Sequence, residues 1–418
     1  SEPDRIVLSS RAKFEIRSIP MKSEGRVVDA DGHILEPPDL WEKYLEPKYR
    51  PNAIRIRVGD DGYEYLEVAG RRATMTRPGA LGTLGGMGKQ VEEARRRREK
   101  FVGEGRAAEL RYSRPQPEDT YLKGAAFGTM DMKERLQLLD KEGMAKALLY
   151  PTIGLLWECE TMDPELSAAY CRAYNRWIAD FCRDSGGRLV PIAHLSLGDP
   201  DEAARELERA VKDGCKGAFV APFTISRRPH GDPAHDHVFA VAQDCDVPLA
   251  IHPTVEPVVF GVHHRYDHFG WAAWYFDLFA GQGVMHAFAT FFQVGVFDRF
   301  PRLRVVVLES GAGWVGYFFD RADAIFTGTP IAQTVRLKEK PSHYFKERCF
   351  ISADPDERTI AAMMAHLGED KFFWASDYPH PDHPGNYLEE LAGMVKPMTE
   401  SGRRGILGEN VLRAYNVL

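Results

Sequence analysis

Apolar runs alternate with amphipathic stretches along the chain from residue 130 onward. The apolar runs read KALLYPT, RLVPIAHLSL, CKGAFVAP, VPLAIHPT, LRVVVLES, RCFISAD and KFFWASDYPH, and RVVDADGH precedes them near the N-terminus. Stretches between them, such as MKERLQLLDKEG and DEAARELERAVKDG, carry apolar residues at helical spacing. This alternation is typical of parallel strands joined by helices. Eight such strands predict an α/β fold, a closed (β/α)8 TIM-type barrel.

One polar segment interrupts the alternation directly after the first strand, from about residue 46 to residue 124. RVGDDGYEYLEVAGRRA predicts a β-hairpin, RPGALGTLGGMGKQ a glycine-rich loop, and VEEARRRREKF a short charged helix. The glycine-rich loop lacks the spacing of a phosphate-binding loop. We therefore predict a single barrel domain over residues 1–418, with an insertion at approximately 46–124.

Composition and charge narrow the function classes. The 418 residues are 44% hydrophobic and 28% charged, and the net charge of −7 gives no reason to expect nucleic acid or an anionic membrane as a partner. No run is long and apolar enough to cross a bilayer, and SEPDRIVLSSRAKFEIRS lacks the apolar core of a signal peptide. Six scattered cysteines without a CxxC pair argue against a disulfide scaffold or a cysteine-based zinc site. These features predict a cytoplasmic enzyme that acts on a small molecule.

Polar side chains stand where several apolar runs end, and in a barrel those ends surround one mouth. The first run ends in Asp31 and His33, the fifth in His252, the sixth in Glu309 and the eighth in Asp377. Each has an ordinary alternative, since an aspartate after a strand often caps a helix and a glutamate often forms an ion pair. Because all five are expected at the same mouth, one metal site explains them better than five separate accidents.

The sequence does not assign a role in the metal site to three further polar residues. His194 lies in the third run and is by default a core histidine. Asp354 follows the seventh run and is by default a helix cap. Asp29 either joins Asp31 on one face of the first strand or supports the metal ligands from behind.

These motifs resemble the amidohydrolase superfamily, in particular the branch with aminocarboxymuconate-semialdehyde decarboxylase and the resorcylate-type decarboxylases. That branch opens with Asp-x-His-x-His, and it places histidines after strand five and in strand six and an aspartate after strand eight. Here IHP, ASDYPH, GVFDRFPRLRVVVLESGAGWVGYFFDR and ILGENVLRAYNVL are similar to its later motifs. The resemblance implies a metal-dependent barrel enzyme whose metal ligands are Asp31, His33, His252, Glu309 and Asp377.

Two positions depart from the family pattern. Asp31 stands where the family has the first histidine of His-x-His, and Glu309 stands where it has the histidine of strand six. Three carboxylates around one divalent ion leave a net negative charge, which is costly to bury without compensation. We therefore expect Fe, Mn or Zn, with two ions slightly favoured. The alternative is one ion beside a carboxyl that is protonated or turned away.

Hydrolysis is favoured by the same charges. An acid-rich site with one ion would repel an anionic substrate, whereas a metal-bound hydroxide can attack the carbonyl of an amide, ester or thioester. Asp377 is then the general base, and His380 and His383 are proton carriers or substrate contacts, although an ordinary loop histidine is equally expected for His380. The alternative function is nonoxidative decarboxylation of an aromatic or unsaturated acid, a carboxy-lyase reaction that needs only one ion.

Substrate-binding residues are expected in the loops beside the mouth. VFGVHHRYDHFGWAAWYFD is rich in aromatic residues and offers His263, His264 and Arg265 as polar contacts. We add His286, on a helix that can turn it inward, and Trp314 after strand six. A homodimer interface explains the same aromatic residues at least as well.

Overall fold

The computed structural model of the chain describes residues 27–89, 91–110, 116–269, 272–381, 383 and 385–418. Arg26 of the first predicted strand and the segment on which the signal-peptide expectation rests lie outside these ranges. The strands are Val28–Ile34 (β1), Arg55–Val58 (β2), Glu64–Val68 (β3), Arg71–Arg72 (β4), Lys146–Pro151 (β5), Leu189–Pro191 (β6), Ala193–His194 (β7), Ala218–Val220 (β8), Leu249–Ile251 (β9), Val305–Val307 (β10), Cys349–Ala353 (β11) and Phe372–Trp374 (β12).

Helices follow most of the barrel strands and cover them from outside. They are Leu40–Tyr44 (α1), Val91–Gly103 (α2), Tyr121–Gly124 (α3), Met132–Glu142 (α4), Pro164–Cys182 (α5), Pro200–Lys212 (α6), Asp236–Asp244 (α7), Ala273–Phe279 (α8), Gln282–Gln293 (α9), Val296–Arg299 (α10), Val315–Gly328 (α11), Pro341–Arg348 (α12), Ile360–Leu367 (α13), Tyr387–Val395 (α14), Glu400–Arg404 (α15) and Asn410–Ala414 (α16). Aspartates begin several of them. For example, Asp163 accepts hydrogen bonds from the first backbone N–H groups of α5.

Parallel strands follow one another around the barrel in sequence order. β1 pairs with β5 and β5 with β6, and a second ladder runs from β7 to β12. The third predicted strand, RLVPIAHLSL, is therefore split into β6 and β7. The split occurs at Ile192, whose N–H donates to Leu149, whereas the N–H of Ala193 donates to Gly217 on the other side.

Backbone hydrogen bonds between the segment after β12 and β1 close the barrel, and we call this junction the seam. The N–H of Asp377 donates to the carbonyl of Asp31 at 3.0 Å, and the N–H of His33 donates to the carbonyl of Tyr378 at 2.8 Å. The predicted (β/α)8 TIM-type barrel is confirmed. Residues from the first and last strands of the barrel thus meet at the seam.

Apolar side chains fill the barrel because its strands are covered on both sides. An inner cluster includes Val28, Leu148, Phe219, Val306 and Phe373. A second cluster lies between the strands and the surrounding helices. The backbone between these two layers is rigidly held, so side chains at the strand ends are presented from a fixed frame.

The segment between α1 and α4 contains the elements predicted for the insertion. β2 and β3 form an antiparallel hairpin, β4 adds a third strand, and α2 is the charged helix, with no buried residue. The glycine-rich loop contacts the mouth, since the N–H of Met87 donates to Pro379 at 3.0 Å and that of Gly88 to His383 at 3.3 Å. The insertion therefore packs against the loop that follows β12.

The helices and the cysteines bear on membrane-spanning segments and disulfide bonds. Within the described ranges, every helix is too short or too polar to cross a membrane. All six cysteines are free thiols, and Cys171, Cys182, Cys215 and Cys349 are buried. Where the protein resides stays a prediction.

Candidate metal centre

Five side chains from four strand ends converge at one mouth of the barrel. His33 Nε2 lies 3.1 Å from Asp377 Oδ1, 3.5 Å from Asp31 Oδ1 and 3.7 Å from Glu309 Oε2. His252 Nε2 lies 3.1 Å from Glu309 Oε2 and 3.4 Å from Asp31 Oδ2. The Glu309 side chain is 21% exposed and the other four are almost fully buried, so the cluster opens to solvent on the Glu309 side. The structure thus brings together every residue that the sequence proposed as a ligand.

The backbone turns sharply at two of these positions. Glu309 has a φ of 42° and Asp377 a φ of 51°, in the left-handed region that L-residues with side chains avoid. Such a conformation costs about 1–2 kcal/mol per residue. Both residues follow a buried strand closely, so the turn directs each carboxylate toward the histidines instead of along the strand.

The two histidines are oriented by backbone carbonyls. His33 Nδ1 is 2.7 Å from the carbonyl oxygen of Pro151, and His252 Nδ1 is 2.6 Å from that of Pro253. A carbonyl only accepts, so each Nδ1 carries the hydrogen and donates it. Each Nε2 therefore presents a lone pair to the cluster, which is the arrangement of a metal-binding imidazole.

Several buried polar atoms at the centre of the cluster make no hydrogen bond to the described residues. They are both carboxylate oxygens of Asp31, Nε2 of His33 and of His252, and Oε2 of Glu309. Buried polar atoms without partners cost free energy, and a cation bound among them would satisfy all of them at once. Ligand atoms of Asp31, His33, His252 and Glu309 lie within 4.8 Å of one another. The residues present therefore fit a divalent metal ion.

The charges in the cluster are strongly coupled. Burial raises the pKa of Asp31 to about 6, although His252 opposes the rise. Burial and the neighbouring imidazoles of His380 and His252 lower the pKa of His33 well below its usual range. Burial also opposes charge on His252, but the carboxylates of Asp31 and Glu309 outweigh it and raise its pKa. The two carboxylates thus attract positive charge into a buried space, as a cation site requires.

The loop after β12 adds two histidines to Asp377. His380 Nδ1 lies 2.7 Å from Asp377 Oδ1, and its Nε2 lies 3.1 Å from the hydroxyl of Thr152. His383 Nε2 lies 3.4 Å from Asp377 Oδ2. The His380 ring also packs on His33, with 4.0 Å between ring centroids. Sequence reasoning missed Thr152, and its only signal was its place at the end of the second apolar run.

Asp29 supports the seam and does not join the cluster. Its carboxylate accepts the N–H of Ser376 at 2.9 Å, the Ser376 hydroxyl at 2.6 Å and the N–H of Asp31 at 3.3 Å. The register of β1 against β5 shifts between Asp29 and Gly32. Because of this irregularity, simple strand alternation does not carry Asp29 to the face of Asp31.

The other two residues with open roles lie outside the cluster. His194 is fully buried, its ring stacks on Phe219 at 4.3 Å, and its Nε2 lies 3.2 Å from Glu158 Oε2. Asp354 does not cap α13, which begins six residues later, and its N–H donates to Glu357. Burial raises the pKa of Asp354 to about 7.

The histidines after β9 hold their own loop. His264 Nδ1 lies 2.5 Å from Asp267 Oδ2 and its Nε2 lies 3.0 Å from the carbonyl of Glu256, so both ring nitrogens are engaged. His263 is buried, edge-on to Phe276 at 4.7 Å, and burial lowers its pKa to about 4. Their predicted contact with substrate stays a prediction.

The remaining predicted substrate contacts are spread over three elements. Arg265 is exposed on the same loop, and His286 is exposed on α9. Trp314 is half-buried directly before α11, with its ring 5.3 Å from that of Phe318. Their roles as substrate contacts also stay predictions.

Comparison with known proteins finds decarboxylases among the relatives. A gamma-resorcylate decarboxylase from Polaromonas sp. JS666 is 26% identical over 279 residues, which is 63% of this chain and 82% of that protein. A solved amidohydrolase from Mycobacterium avium subsp. paratuberculosis K-10 is 21% identical with a TM-score of 0.74, covering 94% of this chain and 99% of its own. A variant of 5-carboxyvanillate decarboxylase from Novosphingobium aromaticivorans DSM 12444 has bound manganese and 3-methoxy-4-hydroxy-5-nitrobenzoic acid. It is 17% identical with a TM-score of 0.63, and the match covers 94% of this chain and 97% of that protein.

The expectation that hydrolysis is the main function is wrong. Several relatives are gamma-resorcylate decarboxylases, and they favour the alternative, a carboxy-lyase. The error has a physical reason. The expected repulsion of an acid substrate counted three carboxylates alone, whereas the His380 and His383 imidazoles lie 2.7 Å and 3.4 Å from the oxygens of Asp377.

The family of the chain follows from its sequence over the barrel. The amidohydrolase family model matches residues 144–417, which is more than half of the chain and includes His252, Glu309 and Asp377. Asp31 and His33 precede the matched segment, but the seam joins them to it. The resemblance to the decarboxylase branch is confirmed. The chain belongs to the amidohydrolase family.

Proposed function

We propose that the protein is a metal-dependent, nonoxidative decarboxylase of a hydroxylated aromatic acid. The observation that carries the proposal is the His380–Asp377 pair, which is 2.7 Å apart and adjoins the ligand cluster. Decarboxylation of such an acid needs a proton donor beside a cationic site, and this pair supplies one. The proposal is supported by relatives that are gamma-resorcylate decarboxylases, which match 63% and 68% of this chain.

A divalent ion would be held by Asp31, His33, His252, Glu309 and Asp377. It supplies positive charge that binds and polarises the oxygen atoms of an acid substrate. A ligand set of three carboxylates and two imidazoles suits Mn, Fe or Zn. Manganese is our first choice, because it is bound in the 5-carboxyvanillate decarboxylase of similar fold.

We propose one ion per chain, not two. With one divalent ion, three carboxylates leave a single negative charge. His380 lies between Asp377 Oδ1, which accepts, and the Thr152 hydroxyl, which can accept as well as donate, so both ring nitrogens have a partner when the imidazole is charged and balances that negative charge. The earlier preference for two ions counted only the carboxylates.

Proton transfer to carbon is the step that the protein side chains perform. The bond between the ring and the carboxylate carbon breaks, its electron pair stays on the ring, and the ring carbon takes a proton as carbon dioxide leaves. We assign that proton to the position between His380 Nδ1 and Asp377 Oδ1. Thr152 fixes the imidazole from its other nitrogen, so His380 is held in one orientation.

The aromatic substrate would lie under the loop after β9. We retain His263 and Trp314 as its ring contacts and Arg265 as a polar contact, whereas His264 uses both ring nitrogens to hold the loop. His286 is exposed on α9, as Arg265 is on its loop, and stays a further candidate. A homodimer through the same loop stays a prediction. It is consistent with Trp274, which is 74% exposed on α8.

The test compares an acid with its own ester. Manganese-loaded protein is incubated with gamma-resorcylate or 5-carboxyvanillate, and in parallel with the methyl ester of each. We expect carbon dioxide and the decarboxylated phenol from an acid and no methanol from its ester. Metal-depleted protein is the control and should be inactive. Release of methanol without carbon dioxide would contradict the proposal.

A further inference from the structure

We propose that Glu36 is a positioning residue of the metal centre, which fixes the turn after β5 and, through that turn, the imidazoles of His33 and His380. Glu36 follows β1 closely and belongs to no ligand group. The His33 part of this inference concerns metal binding alone. The His380 part rests on the proposed function.

The Glu36 carboxylate collects the backbone N–H groups of three successive residues. Oε2 accepts from Thr152 at 3.1 Å and from Ile153 at 2.8 Å, and Oε1 accepts from Gly154 at 2.8 Å. Glu36 is fully buried. One buried carboxyl side chain therefore holds the whole turn where β5 ends through three backbone hydrogen bonds.

The same turn supplies the outer hydrogen bonds of two imidazoles in the centre. The carbonyl of Pro151 accepts from His33 Nδ1 at 2.7 Å, and the Thr152 hydroxyl lies 3.1 Å from His380 Nε2. Partners of this kind set the tautomer and the ring orientation of a metal ligand. A displacement of the turn would move both imidazoles together, although Glu36 touches neither.

Local packing also restricts the turn after β5 and the backbone of Glu36. A Cβ atom on Gly154 would lie 2.5 Å from the Pro151 ring, so only glycine fits there. The Tyr121 hydroxyl, from the insertion, donates to the backbone carbonyl of Glu36 at 3.0 Å. Glu36 is thus held on its backbone side by the insertion while its side chain holds the turn.

A control variant is needed to separate a positioning role of Glu36 from a general contribution to folding. Burial raises the pKa of Glu36 to about 7 even though three N–H groups oppose the rise, so its charge is costly to maintain. Glu160 offers a matched control, because its Oε1 accepts the N–H groups of Thr74 and Met75 at 2.6 and 2.5 Å. It ties the insertion to the loop after β5 and contacts neither Pro151 nor Thr152 in the described hydrogen bonds.

The experiment measures manganese affinity and kinetics of Glu36→Gln and Glu160→Gln in the full chain. Affinity is measured by competition with a chelating dye. We expect Glu36→Gln to weaken manganese binding by ~10- to 100-fold. At saturating manganese we expect a lower kcat with an unchanged KM, since substrate contacts remain. Glu160→Gln should change none of these quantities. Equal effects of the two variants, or no effect of Glu36→Gln, would overturn the inference.

Three further variants keep the result decisive. Thr152→Val should lower kcat and leave manganese affinity unchanged, because His33 is held by the Pro151 carbonyl, and Thr152→Ser should retain both. If Glu36→Gln does not fold, Glu36→Asp keeps the charge with a shorter reach and should weaken manganese binding in the same direction. If no aromatic acid is decarboxylated by the parent protein, the proposed function fails, while the manganese affinities still decide whether Glu36 positions His33.

Discussion

At the scale of single residues, hydrogen bonds decide what each imidazole can do. His33 and His252 each give Nδ1 to a backbone carbonyl and keep Nε2 for the cluster. His380 instead has the Asp377 carboxylate at Nδ1 and the Thr152 hydroxyl at Nε2, so it is suited to carry a proton. Three histidines at one mouth thus receive two different functions from their hydrogen-bond partners.

The proton-carrying role predicts the effect of His380→Gln. Glutamine can still bond to Thr152 or Asp377 but holds no transferable proton, so we expect kcat to fall by ~10²- to 10⁴-fold. Bound manganese, measured by elemental analysis, should not change. His383→Gln is the control, since His383 lies farther from Asp377, at 3.4 Å, and should lose much less activity. A His380→Gln enzyme with nearly full activity would exclude the role.

A second prediction concerns Glu256, whose Oε1 is buried and makes no hydrogen bond to the described residues. Burial raises its pKa from 4.5 to about 7. The folded state therefore binds the proton more tightly than the unfolded state, and the free energy of unfolding falls as pH rises from about 4.5 to 7. Glu256→Gln removes this loss and should raise the free energy of unfolding at pH 8 by about 3 kcal/mol.

Urea denaturation at pH 5 and pH 8 checks the Glu256 prediction. The gain should be large at pH 8 and small at pH 5, where the folded carboxyl is already neutral. The exposed Glu208 provides the control, since Glu208→Gln should give no comparable gain at pH 8. An equal gain at both pH values would show that ionisation is not the cause.

At the scale of elements, the seam is where the barrel and the metal centre depend on each other. Asp29 ties β1 to the segment after β12 through Ser376, and Asp31 and Asp377 share a backbone hydrogen bond. Buried Arg135 donates to the carbonyl of His33, and its positive charge stabilises the Asp29 carboxylate, whose pKa is raised by burial. A weaker seam should therefore lower both stability and metal affinity.

The seam prediction compares two Asp→Asn substitutions. In Asp29→Asn an amide replaces an oxygen that accepts from Ser376, so we expect a loss of about 2 kcal/mol in the free energy of unfolding and weaker manganese binding. Asp163→Asn makes the same chemical change at the start of α5, where asparagine also caps well, and should cost little. Urea denaturation and manganese titration of both proteins check this. Similar losses in the two variants would contradict a specific contribution of the seam to stability and metal affinity.

At the scale of the whole molecule, the ligands come from strands that are distant along the chain. A metal ion bound only by the folded state stabilises it, by about 2.7 kcal/mol when the free ion is at 100 times its Kd. We therefore expect one manganese ion per chain by elemental analysis, a higher Tm with manganese, and reversal by a chelator. Two ions per chain would restore the dinuclear alternative. A Tm that does not respond to manganese would argue against a site spanning the seam.

Much of the centre was predictable because two simple rules coincide. Apolar runs marked the strands. Because the carboxyl ends of barrel strands surround one mouth, Asp31, His252 and Asp377 could be placed together without any knowledge of distances. Glu36 and Thr152 were not predictable, because a buried hydrogen bond between residues 116 positions apart leaves no pattern in the sequence. Asp29 was ambiguous for a local reason, since an irregular strand defeats the two-residue period.

The seam also has a consequence for the order of events during synthesis. Asp31 and His33 emerge from the ribosome among the first residues of the barrel, whereas Asp377 emerges only after β12 is complete. A nascent chain can fold earlier elements while its last strand is still absent. Until then no complete ligand set exists, and a chain released before residue 377 cannot form it. We therefore expect metal binding by all five ligands to follow closure of the barrel at the seam.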